Sequence, residues 1–162
     1  MNKQILKSTL IAAAGLLFAN SAMAATDTDT FLVTATVADS CRVTATDLDF
    51  GAYDPNAATD NEAISTITAT CTEGTAYTLA LDDGSNSGSA TDTTRAMLGD
   101  GNYLDYELYS ESGHTTVWNA TNTVANTAVA GANAHTVYGR ILAGRYVPAA
   151  SYLDTITVTI GY

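Results

Sequence analysis

Two runs with a strict period of two, one close to each end of the chain, constrain its fold more than any other feature of the sequence. Such alternation of apolar and polar residues is typical of a β-strand that buries one face. The apolar positions of the first run are Phe31, Val33, Ala35 and Val37. Those of the last run are Ile156, Val158, Ile160 and Tyr162. Because each apolar face needs a core to cover it, we expect both ends to be assembly surfaces of a subunit that polymerises by exchanging strands.

The first 24 residues have the three parts of a secretory signal peptide. Lys3 and Lys7 form a positive start, residues 10–18 form a short apolar run, and residues 22–24 (Ala-Met-Ala) fit the small-x-small cleavage rule. Cleavage is therefore predicted after residue 24, so that the mature chain begins at Ala25. The apolar run is too short to span a bilayer as a helix, and we expect an exported, soluble product.

The charge balance excludes two classes of partner. The chain has a formal net charge of −11, and cleavage of the signal removes its only lysines and makes the mature chain more acidic still. The remaining cations are Arg42, Arg95, Arg140 and Arg145. Nucleic acid and anionic membranes both select basic patches. Neither is a predicted partner, and the acidic surface is interpreted as solubilising.

The two cysteines, Cys41 and Cys71, are predicted to form one disulfide. Export exposes them to an oxidising compartment, in which pairing is the usual outcome. A metal site would need further ligands, and neither cysteine has a histidine close in sequence. The sequence therefore predicts no metal and no cofactor.

Alternating runs rich in threonine, valine and tyrosine continue through the middle of the chain, separated by loops rich in Gly, Asp and Asn. They predict strands at 30–38, 42–48, 63–71, 75–82, 103–110, 115–119, 135–143 and 153–161. Residues 119–134 are low in complexity and fit either a long loop or a weak edge strand. No helix is predicted beyond the signal peptide. Many short strands with turns between them predict an all-β sandwich or barrel.

Few residues have the spacing that catalysis or metal binding requires. His114 and His135 are not linked in sequence to each other or to a nucleophile, and no serine lies in a nucleophile-elbow pattern. The Asp-rich turns at 82–84 and 100–102 lack the ligand spacing of a calcium loop. Trp118 is interpreted as a core anchor rather than a ligand platform. We therefore do not expect an enzyme.

The order of several short motifs carries a family resemblance. They are C-R-V at 41–43, D-L-D-F-G-A-Y at 47–53, S-T-I-T-A-T-C-T at 65–72, Y-T-L-A-L-D-D-G at 77–84, N-Y-L-D-Y-E-L-Y at 102–109, Y-G-R-I at 138–141 and P-A-A-S-Y-L-D-T-I-T-V-T at 148–159. In this order they resemble the spore coat protein U domain family. That family includes subunits of archaic chaperone–usher pili of Gram-negative bacteria, and the likeness covers nearly all of the mature chain.

The resemblance implies an incomplete immunoglobulin-like β-sandwich that lacks its last strand and is completed by donor-strand exchange. A periplasmic chaperone lends a strand first. At the outer-membrane usher, the N-terminal strand of the next subunit replaces it. The chain would then divide into a signal peptide (1–24), a donor-strand extension (25–39) and a pilin domain (40–162).

Transferred to this chain, the resemblance gives each terminal run a role. The donor residues would be Phe31, Val33, Ala35 and Val37, which would enter the groove of a neighbouring subunit. The strand with Ile156, Val158, Ile160 and Tyr162 would border the acceptor groove and pair with the chaperone. The bridge between Cys41 and Cys71 would tie the base of the donor arm to the body.

The expected function is that of a structural subunit of an extracellular fimbria, exported through the periplasm to the cell surface and serving adhesion and biofilm formation. The expected partners are a periplasmic chaperone, an outer-membrane usher and further copies of this chain or related pilins. Two alternatives remain open. One is a tip adhesin, although the mature length leaves little room for a second domain. The other is a self-complemented secreted or periplasmic binding module, because the same alternation suits polymer and monomer.

Overall fold

The computed structural model describes residues 23–87 and 93–162, so residues 1–22 of the predicted signal peptide lie outside the described residues. The chain divides into two compact units, residues 1–35 and residues 36–162. In the first unit, residues 23–35 form no strand, and the side chains of Phe31, Leu32 and Val33 are exposed. All of the regular structure described below belongs to the second unit.

The second unit is all-β, with eight strands among its described residues. They are β1 (Cys41–Ala45), β2 (Asn61–Cys71), β3 (Ala76–Leu81), β4 (Arg95–Gly99), β5 (Asn102–Tyr109), β6 (Val124–Thr127), β7 (Ala132–Ile141) and β8 (Val158–Gly161). A five-stranded sheet has the order β1-β2-β7-β5-β4, and a three-stranded sheet has the order β6-β3-β8. All of the pairings are antiparallel.

Alternate residues of the strands build a core between the two sheets. In β3 the side chains of Tyr77, Leu79 and Leu81 are buried while their neighbours are not, as the period of two predicts. They pack with Ile67 of β2 and other buried residues of the five-stranded sheet. Trp118 is buried in the same cluster, and its Nε1 donates a hydrogen bond to the Leu79 carbonyl at 2.9 Å. The prediction of a core tryptophan is confirmed.

A disulfide joins Cys41 and Cys71, the pairing that the sequence predicted. The two residues lie directly opposite each other at the end of the β1–β2 ladder. Beside the bridge, the Thr72 amide donates to the Ser40 carbonyl at 2.9 Å, and the Thr75 hydroxyl donates to Asp39 at 2.9 Å. The residues just before β1 are therefore attached to the body of the domain.

The strands differ from the predicted ones in several places. Residues 30–38 form no strand, and residues 115–119 contribute only an isolated bridge between Val117 and Tyr109. Two observed strands, β4 and β6, were not among the predicted ones. Strand β6 lies inside the low-complexity stretch. The final strand is shorter than the predicted run 153–161. The runs that were predicted as strands but do not form them, or form shorter ones, share a physical reason: a ladder needs a partner strand, and sequence alternation alone does not supply one.

Candidate acceptor groove

A groove with an apolar floor opens between residues 45–53 and residues 147–158, both of which belong to the second unit. Its volume is about 1190 Å³. Small-molecule pockets typically hold about 300–1,000 Å³, so the groove is large enough for a segment of polypeptide. Its floor is the inner face of the five-stranded sheet, and it includes Ile67, Leu104, Tyr106, Leu108, Val137 and Ile141.

The groove borders the free edge of β8. The Asp82 amide donates to the Thr157 carbonyl at 3.1 Å, and the Thr157 amide donates to Asp82 Oδ1 at 2.9 Å. Residue 157 therefore faces β3, and the alternation of an antiparallel ladder turns the backbone groups of Val158 and Ile160 toward the opposite side. Within the described ranges, β3 is the one strand that pairs with β8. An open edge of this kind is a template for another strand.

The first wall of the groove, residues 46–53, is held to the body at both of its ends. The Thr66 amide donates to the Thr46 hydroxyl at 3.0 Å. At the other end, the Tyr53 hydroxyl donates to the Leu142 carbonyl at 2.8 Å and accepts from the Arg145 amide at 2.8 Å. This wall has no regular strand pairing of its own beyond residue 45, yet its position is defined.

Between these two attachments, side chains of the first wall pack directly over a glycine of the floor. Gly139 of β7 has no side chain, and Leu48 and Phe50 occupy the space above it. A Cβ atom added at Gly139 would lie 2.8 Å from Phe50 Cζ and 2.9 Å from Leu48 Cδ1. The Phe50 ring also meets the Tyr106 ring edge to face, with centroids 6.0 Å apart.

The second wall is positioned by one carboxylate. Asp154 accepts hydrogen bonds from the Tyr106 hydroxyl at 2.8 Å, from the Ser85 amide at 2.9 Å and from Asn86 Nδ2 at 3.1 Å. Burial, followed by the bond to Asp154, raises the pKa of Tyr106, so that this phenol stays protonated and donates. One residue earlier, Leu153 exchanges two backbone hydrogen bonds with Leu98 of β4 at 2.9 and 3.1 Å.

The structure divides the predicted groove strand into two parts. Ile156 and Val158 line the groove, whereas Ile160 packs against the core beyond it. Tyr162 is 63% exposed and lies beside a separate shallow depression near Tyr77. The alternation of the last run did not indicate this division, since all four residues share one face of the pattern.

The predicted donor residues lie before β1 and have exposed side chains. Phe31, Val33 and Val37 are 88%, 79% and 80% exposed. Ala35 is exposed as well. Their role as donors stays a prediction. The first wall of the groove was not predicted from the sequence as a site, although the D-L-D-F-G-A-Y motif at 47–53 contains Leu48, Phe50 and Tyr53.

Both histidines contact tyrosines and lie apart from the groove lining. His135 Nε2 is 2.8 Å from the Tyr77 hydroxyl, and burial lowers the pKa of this histidine. The His114 ring meets the Tyr109 ring edge to face at 5.0 Å. The described residues contain no group of three or more His, Cys, Asp or Glu side chains that could hold a metal ion. Over the same residues, no helix has the length and apolar character to cross a membrane.

The family model of the Spore Coat Protein U domain matches residues 27–159. The chain belongs to the spore coat protein U domain family. This match confirms the resemblance found in the order of the sequence motifs. Comparison of this spore coat protein U domain protein with curated proteins found no match.

One similar solved structure is the CsuC–CsuE chaperone–tip adhesion subunit pre-assembly complex from archaic chaperone–usher Csu pili of Acinetobacter baumannii. One of its chains matches with 23% identity and a TM-score of 0.57, over 78% of the present chain and 40% of that chain. The spore coat protein U domain protein thus spans less than half the length of this structural relative. The likeness and the two antiparallel sheets confirm the predicted all-β, immunoglobulin-like fold.

Proposed function

We propose that this spore coat protein U domain protein is a structural subunit of a chaperone–usher fimbria and polymerises by donor-strand exchange. The observation that carries the proposal is the groove, because it joins an apolar floor to a free strand edge. A strand that enters such a groove gains backbone hydrogen bonds along the edge and buries alternate side chains in the floor.

The proposed occupant is residues 30–38 of a second copy. Nine residues in a strand span about 30 Å at roughly 3.3 Å per residue. This length is about the diameter of a small domain. Their apolar side chains lie on one face and are exposed in this chain. Because each copy would offer an arm at one place and a groove at another, the contact is head-to-tail and propagates a fibre.

Before assembly, the same groove would be occupied by a strand of a periplasmic chaperone, and an outer-membrane usher would exchange that strand for the arm of the next subunit. The similar crystal structure described above is a chaperone–subunit complex of archaic chaperone–usher pili, which supports this order of partners. In this scheme Ile156 and Val158 contact the incoming strand in the groove. Ile160 and Tyr162 extend the edge along which the chaperone strand pairs.

The proposal also assigns the segments of the chain. Residues 1–24 are the signal peptide, residues 25–39 the donor extension, and residues 40–162 the pilin domain. The hydrogen bonds of Asp39 and Ser40 to residues 72–75, beside the disulfide, would anchor the arm at its base. The mature subunit would pass through the periplasm to a fimbria on the cell surface of a Gram-negative bacterium, where adhesion and biofilm formation are its proposed roles.

The test is assembly of the full chain exported to the periplasm, alone and with its cognate chaperone, followed by size-exclusion chromatography with light scattering. We expect a one-to-one complex with the chaperone and heat-resistant ladders without it. A stable monomer that needs no partner would contradict the proposal and favour the self-complemented binding module.

A matched pair of variants tests the identity of the donor face. Val33→Asp places a carboxylate on the apolar face of the arm, whereas Thr34→Asp places the same group on the other face. We expect Val33→Asp to abolish the ladders and Thr34→Asp to retain them, because a buried unpaired carboxylate is strongly disfavoured. Deletion of residues 25–38 should leave chaperone binding intact and stop extension. Normal ladders from either Val33→Asp or the deletion would overturn the donor assignment.

A further inference from the structure

The carboxylate of Asp82 takes the place of a backbone acceptor at the end of the ladder between β3 and β8. Leu81 lies opposite Val158, so the next pair along the ladder is Asp82 and Thr157. In a hydrogen-bonded antiparallel pair, the two residues exchange both of their N–H···O bonds. Here the Asp82 amide donates to the Thr157 carbonyl at 3.1 Å, but the Thr157 amide donates to Asp82 Oδ1 at 2.9 Å. A side chain therefore makes one of the two bonds.

The carbonyl of Asp82 is occupied by another donor. It accepts from Arg95 Nε at 3.1 Å and from Arg95 Nη2 at 2.6 Å. Arg95 is fully buried and is also paired with Glu107, so its guanidinium is fixed in place. Because the Asp82 carbonyl is held toward Arg95, the Thr157 amide depends on the carboxylate for its acceptor.

The segment that leads into β8 is extended, although β3 ends at Leu81. From residue 151 to residue 160 the odd-numbered residues are exposed and the even-numbered ones are partly buried, which is the period of a strand. The segment is held by a carboxylate at each end. Asp154 accepts from the Ser85 amide at 2.9 Å, and Asp82 accepts from the Thr157 amide.

Ile156 lies inside this held segment and has the properties of an edge residue. Because Thr157 faces β3, the alternation of the chain turns the backbone groups of Ile156 toward the open side, as it does for Val158 and Ile160. Among the residues that the structure describes, neither the amide nor the carbonyl of Ile156 forms a backbone hydrogen bond. Its side chain lines the groove. Ile156 is thus ready to pair with a strand that enters the groove, although it precedes the first residue of β8.

We propose that the Asp82 carboxylate lengthens the acceptor edge by one residue pair, so that Ile156 bonds to the backbone of the incoming strand together with Val158 and Ile160. The inference rests on the proposed function, since it presumes that the arm of a second copy enters the groove. Without the carboxylate, Thr157 would lose its bond to the side chain of Asp82, and the paired edge would begin at Val158. Asp82 is a positioning residue, because it contacts the edge and not the arm.

Hydrogen–deuterium exchange of the assembled full chain tests the length of the edge. The exchange is read residue by residue by fragmentation mass spectrometry, and we expect slow exchange at the amides of Ile156, Val158 and Ile160. In fibres of Asp82→Ala, the Ile156 amide should exchange about tenfold faster, the change expected from the loss of about one hydrogen bond. The amides of Val158 and Ile160 should stay protected in this variant.

Two matched variants separate the hydrogen bond from the charge. Asp82→Asn keeps an acceptor oxygen for the Thr157 amide and should retain the protection of Ile156. Asp83→Ala removes an exposed carboxylate from the neighbouring position and should also retain it. Fluorescence of Trp118, the one tryptophan of the chain, reports whether each variant is folded. The wild-type exchange measures the length of the edge even if Asp82→Ala does not fold.

The possible outcomes separate this inference from the proposed function. Wild-type chains that form no fibres overturn both. Wild-type fibres in which the Ile156 amide exchanges rapidly overturn the longer edge alone. The role of Asp82 is overturned if Asp82→Ala leaves Ile156 protected, or if Asp82→Asn or Asp83→Ala exposes Ile156 to the same extent. Loss of protection at Val158 and Ile160 as well would also overturn it, because the whole joint would then be weakened. Faster exchange confined to Ile156 in Asp82→Ala supports it.

Discussion

Tyr106 donates a hydrogen bond to Asp154, with 2.8 Å between the phenolic oxygen and Oδ2, and this bond joins the floor of the acceptor groove to its second wall. Tyr106 belongs to β5 in the five-stranded sheet, whereas Asp154 lies in the segment that leads into β8 of the other sheet. The same carboxylate accepts from the Ser85 amide. The Asp154 side chain thus helps to hold the segment in which the chain passes from one sheet to the other.

Removal of this bond should destabilise the domain without disturbing its packing. Tyr106→Phe deletes only the hydroxyl, and a hydrogen bond to a charged group contributes about 1.5–3 kcal/mol. We expect the free energy of unfolding in urea, followed by Trp118 fluorescence, to fall by that amount. Tyr103→Phe is the control, because Tyr103 lies on the same strand and is 41% exposed. Equal losses from both substitutions would show that the bond to Asp154 contributes nothing specific.

The buried ion pair between Arg95 and Glu107 should be costly to break from one side. Arg95 is fully buried and also donates to the Trp118 carbonyl at 2.8 Å, while Glu107 accepts from the Thr94 amide at 3.0 Å. Arg95→Met leaves the Glu107 carboxylate uncompensated and should cost about 3–5 kcal/mol. Arg95→Met/Glu107→Leu should cost clearly less than the sum of the single variants in a double-mutant cycle of urea unfolding. Strict additivity would contradict the coupling.

The disulfide should contribute through the loop that it closes. Cys41 and Cys71 are 30 residues apart in sequence, and a loop of that length gives roughly 3–4 kcal/mol on the chain-entropy model. We expect Cys41→Ser/Cys71→Ser to lower the free energy of unfolding by about this amount. Reduction of the wild-type protein with dithiothreitol should match the double variant, and dithiothreitol should leave that variant unchanged. An unaltered melting temperature on reduction would contradict the prediction.

The turn at 110–116 should keep its structure down to low pH. Glu111 accepts from the Thr115 hydroxyl at 2.6 Å and from the amides of Thr116 and Thr115, both at 2.7 Å, and these bonds lower the pKa of its carboxyl from 4.5 to about 2. A lowered pKa means that the stabilisation is fully present above pH 4.5 and is lost as the pH falls toward 2.

Nuclear magnetic resonance titration tests whether the pKa of Glu111 is lowered as described. The amide signals of Thr115 and Thr116 should titrate with an apparent pKa of about 2, and Glu111→Gln should remove the transition. A midpoint near 4.5 for the same amides in the folded protein would show that the three hydrogen bonds do not favour the ionised carboxyl.

The fold class could be predicted because it depends on local alternation. The predicted strand 63–71 lies within β2, and the predicted strand 75–82 contains β3, where Tyr77, Leu79 and Leu81 turn inward as their spacing requires. The cysteine pair followed from the export signal, and the family followed from the order of short motifs. Each of these inferences uses residues that are close in sequence or are fixed by composition.

The site depended on contacts that no local pattern contains. The first wall of the groove, residues 46–53, has no pattern that marks it as a site, and it is placed by bonds such as that from Tyr53 to Leu142, 89 residues away. The strand β4 was missed because Arg-Ala-Met-Leu-Gly does not alternate. It pairs with β5, and its Arg95 forms a buried ion pair with Glu107.

By itself, the sequence determined which residues can share a face of a sheet, because side-chain direction in a strand depends only on the parity of position. Only the tertiary structure decided that the edge of β8 stays open and that Leu48 and Phe50 fill the space above Gly139. Strand pairing and packing in three dimensions are properties of residues distant in sequence, and so they are determined only when the chain has folded.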